Sequence, residues 1–463
     1  MVDASNDHAS ENRNYKGSVG DRLDRLPLSG FHLRLTMLIT GGEFIITFLL
    51  IGVGGLLDIV SKVLDLSITI ATYVMPTSFY AGMFIGTIGF GRLADKYGRR
   101  LIYFFKLIIC AVGAIIAGLM SNYVLIAIFM FIAGMGVGAE VPLGDTYISE
   151  TMTKETRGQR LALVYTIAIL SAPIGAFALL ELSKWDLANS WRVFLIALGI
   201  GALAFQIVRY RIIESPRWLE SQGKYEAADS IVSKIEETVK KERKLQELPP
   251  VTTYSEVLKE KPKWVDLFDA KLRKNTVMVL IFQYAQSGVF FGFTALVPTI
   301  LVDKGYTIAS TFLFTMIIFS GFVIGSIVNI FYIDRIERKY GVVMFIVLAG
   351  VFGIIFALSV NSIELIIFGF LVAFFLWNMS NFFHQYQAEI FPTKLRASGT
   401  GLGQSINALA SASVPTLIIV YVLSHGILVV FLTLTILVLI VVVDIMLFGP
   451  KTSRKELEKI SNL

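Results

Sequence analysis

Cysteine and charged residues are both scarce in this chain of 463 residues, which has one cysteine and only 16% charged residues. The single cysteine, Cys110, excludes an internal disulfide framework and any zinc or iron–sulfur site that needs several cysteines. Soluble domains carry about 25% charged residues. The deficit, with 55% hydrophobic residues and a mean hydropathy of +0.69, indicates that most of the chain lies in lipid. The usual estimate of domain number from length therefore does not apply.

The chain lacks the sequence signals of several protein classes. There is no GxxxxGK[ST] loop, which excludes an ATP-driven pump built on that loop. No motif pairs a nucleophile with a base, so we expect neither an enzyme nor a bound cofactor or metal. The first thirty residues are polar and do not resemble a cleaved signal peptide. The net charge of +6 does not indicate nucleic-acid binding, because the basic residues fall in alternate loops, as membrane topology requires.

Long apolar segments dominate what is present. Since a bilayer crossing takes about 20 residues, they predict an all-α membrane protein with twelve transmembrane helices in two six-helix halves. Lys and Arg concentrate in the loops after every second segment, so both termini are expected in the cytoplasm and the protein in the plasma membrane. The segments lie near 34–59, 73–91, 101–120, 122–148, 161–182, 190–210, 275–301, 310–332, 341–360, 362–388, 398–421 and 426–448.

The segments divide the chain into five regions. In the central loop, apolar positions from Ala228 to Val239 recur at helical spacing and Pro249-Pro250 follows them, which predicts amphipathic helices lying under the bundle. The regions are a cytoplasmic N-terminal segment 1–33, an N-terminal half 34–211, the cytoplasmic central loop 212–274, a C-terminal half 275–449 and a cytoplasmic tail 450–463.

A charged turn, Gly91 to Arg100 (GRLADKYGRR), separates two long apolar runs. It cannot lie in hydrocarbon, so it is expected at one bilayer face. Gly91 is expected to let two helices approach closely, and Gly98 to make the turn. Asp95 can accept a hydrogen bond from a helix N-terminus or an arginine, while Arg99 and Arg100 are expected in the headgroup layer. A topology signal without a further role is the alternative.

Two unrelated motifs recur at one offset along the chain. The charged turn has a degenerate copy at 332–339 (YIDRIERK), and an E-x6-R motif, ETMTKETR, recurs as EIFPTKLR. Both repeats have the same spacing, because 334 − 95 and 389 − 150 are both 239. The offset indicates an internal duplication, which is how secondary transporters build two halves around a central site.

The charged turn, with the pattern G-x-x-x-D-x-x-G-R-R, resembles the loop between the second and third helices of the major facilitator superfamily of secondary transporters. Glu214 to Leu219 (ESPRWL) and Pro450 to Ile460 (PKTSRKELEKI) resemble stretches after the sixth and twelfth spans of its sugar porters. Gly138 to Pro142 (GAEVP) and Glu389 to Thr393 (EIFPT) are more similar to its organic-ion transporters. The resemblance covers nearly the whole chain and implies a central cavity with alternating access.

The resemblance also implies a cytoplasmic gate. Charged residues at the ends of the second, fourth, eighth and tenth spans are expected to pair when the transporter faces outward and to separate on inward opening. Static helix capping is the alternative. The expected gate residues are Gly91, Asp95, Gly98, Arg99, Arg100, Glu150, Arg157, Asp334, Arg335, Arg338, Glu389 and Arg396.

An ionised carboxylate inside a span must face a cavity, pair with a cation or take up a proton, and the candidates are Glu43, Glu140 and Asp145. Glu43 of the first span and Glu140 of the fourth lie at one depth, about 12–14 Å from the inner boundary at 1.5 Å per residue. Two close acids would not both stay ionised, which suits a proton-coupling site. Asp145, nearer the cytoplasmic surface, is a weaker candidate. A permanently protonated structural acid is the alternative.

Cations are missing from the expected cavity. Lys106, in the third span, is the only lysine inside a span, and the region where many sugar porters carry an arginine, Phe129 to Gly134, has none. A cavity with acids and no evident cation disfavours a multiply charged anion. It favours a neutral sugar or polyol, or an organic cation.

Neutral polar residues lie at a similar depth in several spans. A set of amides that converges on one layer can bind a solute, although hydrogen bonding between helices is the alternative use. The solute-binding candidates are Thr47, Gln283, Gln286, Asn378, Asn381, His384 and Asn407.

These features predict a proton-coupled secondary transporter of a small polar organic solute. A sugar or polyol is favoured, because the ESPRWL and tail stretches are sugar-porter-like. The alternatives are an organic cation, a nicotinate-like acid, or a non-transporting membrane sensor on the same scaffold. H⁺ is the expected coupling ion, with Na⁺ left open, and the bundle is expected to act as a monomer.

Overall fold

The computed structural model describes residues 18–138, 140–153, 156–210, 212–251, 264–333, 335–391 and 395–452. Twelve helices in these ranges are long and apolar enough to cross a membrane, which confirms the predicted fold class. No strand occurs among the residues described. Two short α-helices, one longer α-helix and a 3-10 helix at Trp264–Phe268 lie outside the membrane-crossing set among the described residues.

The first half begins with the short helix α1 and then crosses six times. Its helices are α1 (Val19–Asp24), α2 (Gly30–Val63), α3 (Ile68–Tyr97), α4 (Arg99–Leu119), α5 (Tyr123–Gly138, continuing as Glu140–Thr151), α6 (Gln159–Trp185) and α7 (Leu187–Arg209).

Two helices of the central loop follow, and then six more crossings. These helices are α8 (Pro216–Ser221), α9 (Tyr225–Arg243), α10 (Arg273–Asp303), α11 (Ile308–Asn329), α12 (Arg338–Leu358), α13 (Ser362–Ile390), α14 (Ser398–His425) and α15 (Ile427–Phe448). We call the end of the bundle that carries α1, α8 and α9 the terminal face, and the other end the opposite face.

Side-chain caps start several helices at the opposite face. Asp186 accepts from the backbone of α7, Thr307 from that of α11 and Asn361 from that of α13. Each cap satisfies amides that the first helical turn leaves without a partner. Polar residues in the connections at this face therefore begin these helices.

Glycines bring α3 and α5 into backbone contact. A Cβ added at Gly134 would lie 1.9 Å from the carbonyl oxygen of Phe79, and one at Gly82 would lie 2.0 Å from that of Phe131. Small residues at such positions are a usual basis of helix packing in membranes. Gly91 was expected to play this part, but a Cβ there would meet no described atom within 4 Å. That expectation is wrong, because Gly91 faces away from the helix contact.

The turn between α3 and α4 depends on Gly98, whose φ of +111° disfavours any side chain. The carboxylate of Glu214 caps the next helix, accepting from the backbone N–H of Arg99 at 3.0 Å and of Arg100 at 3.2 Å. The indole of Trp218 donates to the carbonyl oxygen of Asp95 at 3.0 Å. The ESPRWL stretch thus holds the charged turn in place through hydrogen bonds to its backbone.

Helix α9 lies at the terminal face and holds α1 by charge. Arg22 is buried and donates to Asp229, Ser233 and Glu236, and Arg25 donates to Glu236 at 2.7 Å. Burial alone would raise the pKa of Glu236, but the hydrogen bonds from the two arginines outweigh burial and lower it. Because the folded pKa is lowered, this contact stabilises the fold above about pH 4.3, the usual Glu value, and weakens as the pH falls through the lowered value.

We expect Glu236→Gln to release α1 from α9. Losing hydrogen bonds to charged partners should weaken the contact by roughly 1.5–3 kcal/mol, so amide hydrogen exchange at residues 19–26 should become at least tenfold faster. Glu237→Gln is the matched control, because Glu237 is exposed and pairs only along its own helix with Lys241. Equal exchange in the two variants would show that Glu236 does not hold α1.

Candidate solute cavity and gates

A cavity of about 140 Å³ lies between the two halves. Helices α2, α3, α5 and α6 line it from the first half, and α10, α13 and α14 line it from the second. Its wall combines one carboxyl with amides, hydroxyls and aromatic rings. The polar and aromatic lining residues are Glu43, Thr47, Thr87, Tyr165, Gln283, Gln286, Ser287, Phe290, Phe291, Trp377, Ser380, Phe383, His384, Gln404 and Asn407.

The structure brings together some of the predicted site residues and separates others. Those that line the cavity are Glu43, Thr47, Gln283, Gln286, His384 and Asn407. Those that do not are Glu140, Asp145, Asn378 and Asn381. The solute-binding candidates therefore divide by helix face, and only part of the tenth span faces the cavity.

Amides on the second half hold one another in place. Gln283 accepts from Gln286 at 2.9 Å and from Asn407 at 3.3 Å, and it donates to Gln387 at 2.8 Å. This chain crosses from α10 to α13 and α14. It fixes the orientation of the amides that face the cavity, so the wall is a prearranged hydrogen-bonding surface.

Asn378 serves helix packing instead of the cavity. Its side-chain oxygen accepts from Asn329 at 2.8 Å and from the hydroxyl of Tyr332, and its amide donates to the carbonyl oxygen of Phe374 at 2.8 Å. These contacts join α11 to α13. Asn378 therefore has the alternative role expected for these amides, which is hydrogen bonding between helices.

Tyr165 was not predicted, and it links three elements. Its hydroxyl donates to Asp145 at 2.5 Å, and its ring stacks on His384 with centroids 5.4 Å apart and planes 18° apart. Asp145 thus has a donor, and the two halves meet through the stacked rings. Hydropathy gave no signal for Tyr165, since a tyrosine is common inside a span.

Glu140 is paired with two cations, Lys106 at 2.6 Å and Arg209. All three side chains are fully buried, with at most 1% exposed. The Lys106 ammonium and the Arg209 guanidinium also lie over the ring of Tyr103, at 3.8 and 3.5 Å from its centre. The expectation of acids without a cation partner is therefore wrong. Arg209 lies in the last turn of α7, where an arginine usually extends to the headgroups, but here it folds inward.

Among the residues that the structure describes, Glu43 is the only carboxyl in the wall of the cavity, and it is 3% exposed. Within the described ranges it has neither a hydrogen bond nor an ion pair. Gly144 makes room for it, because a Cβ there would lie 2.8 Å from a carboxyl oxygen of Glu43. A buried carboxyl with no donor is poised to bind a proton or a polar ligand.

The halves are joined closely at the opposite face. Thr299 donates to the buried carboxylate of Asp58 at 3.0 Å, and the hydroxyls of Thr77 and Thr416 are 2.6 Å apart. A Cβ added at Gly54 would lie 2.9 Å from the Cα of Ala295. These contacts between α2 and α10 and between α3 and α14 close that end of the cavity.

The charged motifs at the terminal face form one bridge in each half. Arg99 bonds Asp95 at 2.5 Å and Glu150 at 3.3 Å, and Arg338 bonds Glu389 at 3.5 Å. The two Arg–Glu bridges are related by the sequence repeat. Arg100 packs on Tyr210 and Arg335 is exposed. Asp334 and the side chains of Arg157 and Arg396 lie outside the described residues.

Two repeated six-helix halves around a shared polar cavity define a secondary transporter of the major facilitator fold. The chain belongs to the family described as Sugar (and other) transporter, whose sequence model matches residues 24–463. It is a multi-pass membrane protein and not an enzyme.

Several known proteins are similar to this chain over most of their length. The inner membrane metabolite transport protein YdjE of Escherichia coli (strain K12) is 28% identical, covering 96% of this chain and 98% of that protein. The niacin transporter NiaP of Acinetobacter baylyi is 23% identical, covering 95% and 98%. The arabinose-proton symporter of Bacillus subtilis (strain 168) is 26% identical, covering 84% and 85%.

Solved structures share the fold at low identity. The partially occluded, inward-open conformation of the xylose transporter XylE from Escherichia coli superposes with a TM-score of 0.71 at 19% identity, covering 92% of this chain and 100% of that one. A D-xylose-proton symporter gives a TM-score of 0.67 at 19% identity, covering 91% and 99%.

Proposed function

We propose that this transporter is a proton-coupled symporter and that Glu43 carries the coupled proton. The observation that supports this most directly is the contrast among the three acids expected to be proton-site candidates. Glu140 has two cation partners and Asp145 has a hydroxyl donor, whereas Glu43 has none among the described residues and faces the cavity. A carboxyl in low dielectric without a partner binds a proton readily.

The solute we favour is a neutral polyhydroxylated molecule, a sugar or polyol. Amides of Gln286, Gln404 and Asn407 face the cavity and supply both donors and acceptors for hydroxyl groups. The rings of Phe290 and Trp377 offer apolar faces for the C–H side of a sugar ring. The names of the arabinose-proton and xylose-proton symporters agree with this class.

A nicotinate-like acid is the second candidate, and one observation favours it. The group of Lys106, Arg209 and Glu140 carries a surplus positive charge behind Glu43. Once Glu43 is protonated, that charge attracts an anion to the cavity. The name of the niacin transporter NiaP is consistent with this class, at 23% identity.

We further propose that the protein works in the plasma membrane with both termini in the cytoplasm. The terminal face is then the inner one, and the close contacts of α2 with α10 at the opposite face belong to the inward-facing state. Solute and proton enter when these contacts separate, and rocking of the halves re-forms them. The Arg99–Glu150 and Arg338–Glu389 bridges each lie within one half and are formed while the opposite face is closed, so in this scheme they favour the static alternative over a gate that separates on inward opening.

Uptake by purified protein in liposomes with an imposed pH gradient tests the proposal. We would offer labelled pentoses, hexoses, polyols, nicotinate-like acids and organic amines, each with and without a protonophore. We expect one class, a sugar or polyol, to accumulate only while the gradient lasts. Accumulation of the acid alone would select the second candidate. Uptake that ignores the gradient would contradict proton coupling, and no uptake of any solute would favour the sensor.

A further inference from the structure

A buried carboxyl, that of Asp58, lies at the seam where α2 meets α10 at the opposite face. It is 6% exposed and accepts a hydrogen bond from Thr299 of the other half at 3.0 Å. We propose that Asp58 is a proton-binding lock, so that the opposite face closes when Asp58 takes up a proton from that side and opens when it releases the proton. This inference goes beyond the proposed function, because the lock neither lines the cavity nor needs Glu43.

The burial of Asp58 depends on the contact between the two halves. One turn back along α2, a Cβ added at Gly54 would lie 2.9 Å from the Cα of Ala295 in α10, so the two backbones touch there. Asp58 continues this contact outward and meets Thr299, which is itself buried. Separation of α2 from α10 therefore places the carboxyl of Asp58 in water at the opposite face.

No cation compensates Asp58 among the described residues. Lys62, one turn further along α2, is the only described charged group in electrostatic reach, and it is exposed and forms no described ion pair with Asp58. The other helices at the seam offer apolar side chains, since Leu179 of α6 and Phe312 of α11 lie against Gly55. The hydroxyl of Thr299 is the one described donor.

A buried carboxylate with a single neutral donor is much less stable than one in water, and an ion pair or a bound proton is the usual compensation. Since no ion pair is described, the closed seam favours the protonated form of Asp58, whereas the open seam hydrates the ionised form. Closing therefore takes up one proton from the water at the opposite face, and opening returns it to the same water. The lock makes closing depend on pH without carrying a proton across the membrane.

The direction of the pH dependence follows from the count of bound protons. A fall in pH favours the state that binds more protons, so acid closes the seam and alkali opens it. One linked proton changes the ratio of open to closed protein by up to about tenfold per pH unit. This response belongs to the seam, whereas Glu43 faces the cavity.

The distance between two spin labels across the opposite face tests the lock in the full-length protein in lipid. The labels are carried by Trp185→Cys and Ile363→Cys, at exposed positions on the opposite-face ends of α6 and α13. The background carries Cys110→Ala and Glu43→Gln, which removes the native thiol and the titration of the proposed coupling site. We expect the ratio of open to closed protein to rise at least tenfold between about pH 5.5 and about pH 8.5.

Asp58→Asn should abolish this response, because asparagine is neutral at every pH and can still accept from Thr299. Its ratio of open to closed protein should stay at the value that the Asp58 protein has at low pH. Asp65→Asn is the matched control, because Asp65 is exposed just beyond the same helix end, and this variant should keep the full response. Asp58→Ser, which also lacks a titratable group, serves if Asp58→Asn does not fold.

Three outcomes would overturn the lock. A ratio that is independent of pH, or that falls as the pH rises, contradicts closing by proton uptake. A response in Asp58→Asn equal to that in Asp65→Asn assigns the titration to another group. An Asp58→Asn protein that stays open at every pH shows that neutralising Asp58 does not close the seam. Coupling by Glu43 is tested separately, by uptake, and does not depend on these results.

Discussion

Replacing Glu140 by glutamine should lower the stability of the folded protein by about 3–5 kcal/mol, the usual result of removing one partner from a buried ion pair. The variant leaves Lys106 and Arg209 buried without their counter-ion. Both cations are enclosed between α4, α5 and α7, so water cannot replace the carboxylate. The unfolding temperature of the detergent-solubilised protein is the measurement.

Glu181→Gln is the matched control for this change. Glu181 lies on α6, is half exposed, and pairs only with Lys184 on its own helix at 2.9 Å. Exposed pairs of this kind contribute about 0–1 kcal/mol, so the control should unfold at the original temperature. If Glu140→Gln unfolds at the same temperature as the control, the ion pairs of Glu140 with Lys106 and Arg209 do not stabilise the first half.

Gly54→Leu should arrest the transporter with its opposite face open. A side chain at Gly54 meets the backbone of Ala295, which cannot move aside as a flexible side chain would. The close contact of α2 with α10 then cannot form, and the equilibrium shifts toward the state in which these helices are apart. Folding should be little affected, because the contact joins the two halves and not the helices within one half.

Thiol labelling measures this shift. In a Cys110→Ala background, a cysteine in place of Thr47 reports access to the cavity from either side of a sealed vesicle. We expect Gly54→Leu to raise labelling from the opposite face at least tenfold and to lower it from the terminal face. Gly201→Leu is the control, since a Cβ there meets no described atom within 4 Å. Labelling that matches the control would contradict closure by the α2–α10 contact.

The crossings and the repeat could be predicted from the sequence because both depend on patterns along one chain. Apolar length defines a span, and a shared offset of two motifs defines a duplication. Gly98 could be predicted to make the turn because it lies in the charged stretch between two apolar runs, and glycine tolerates the positive φ that a tight turn can require. The helix contact through Gly82 and Gly134 had a sequence signal too, in the small-xxx-small spacing of GMFIG and GMGVG.

The site could be predicted only in part, because depth along a helix does not say which neighbour a side chain faces. Glu43 and Glu140 share a depth, yet one faces the cavity and the other is enclosed with Lys106 and Arg209. Asn378 and His384 share a helix, yet they serve packing and the cavity wall respectively. Tyr165 is positioned by its hydrogen bond to Asp145 and by stacking on His384 of the other half. No local sequence pattern predicts these two contacts.

The central claim, that Glu43 couples a proton to solute movement, is tested most directly by comparing two assays of Glu43→Gln in liposomes. We expect gradient-driven accumulation to be lost while exchange of labelled for unlabelled solute continues, because the glutamine occupies the site as a permanently neutral side chain. Asp444→Asn is the control. Asp444 is another buried carboxyl without a described partner, but it lies on α15 away from the cavity. The Asp444→Asn variant should therefore accumulate solute normally. Accumulation by Glu43→Gln at the level of the unmodified protein would contradict the account.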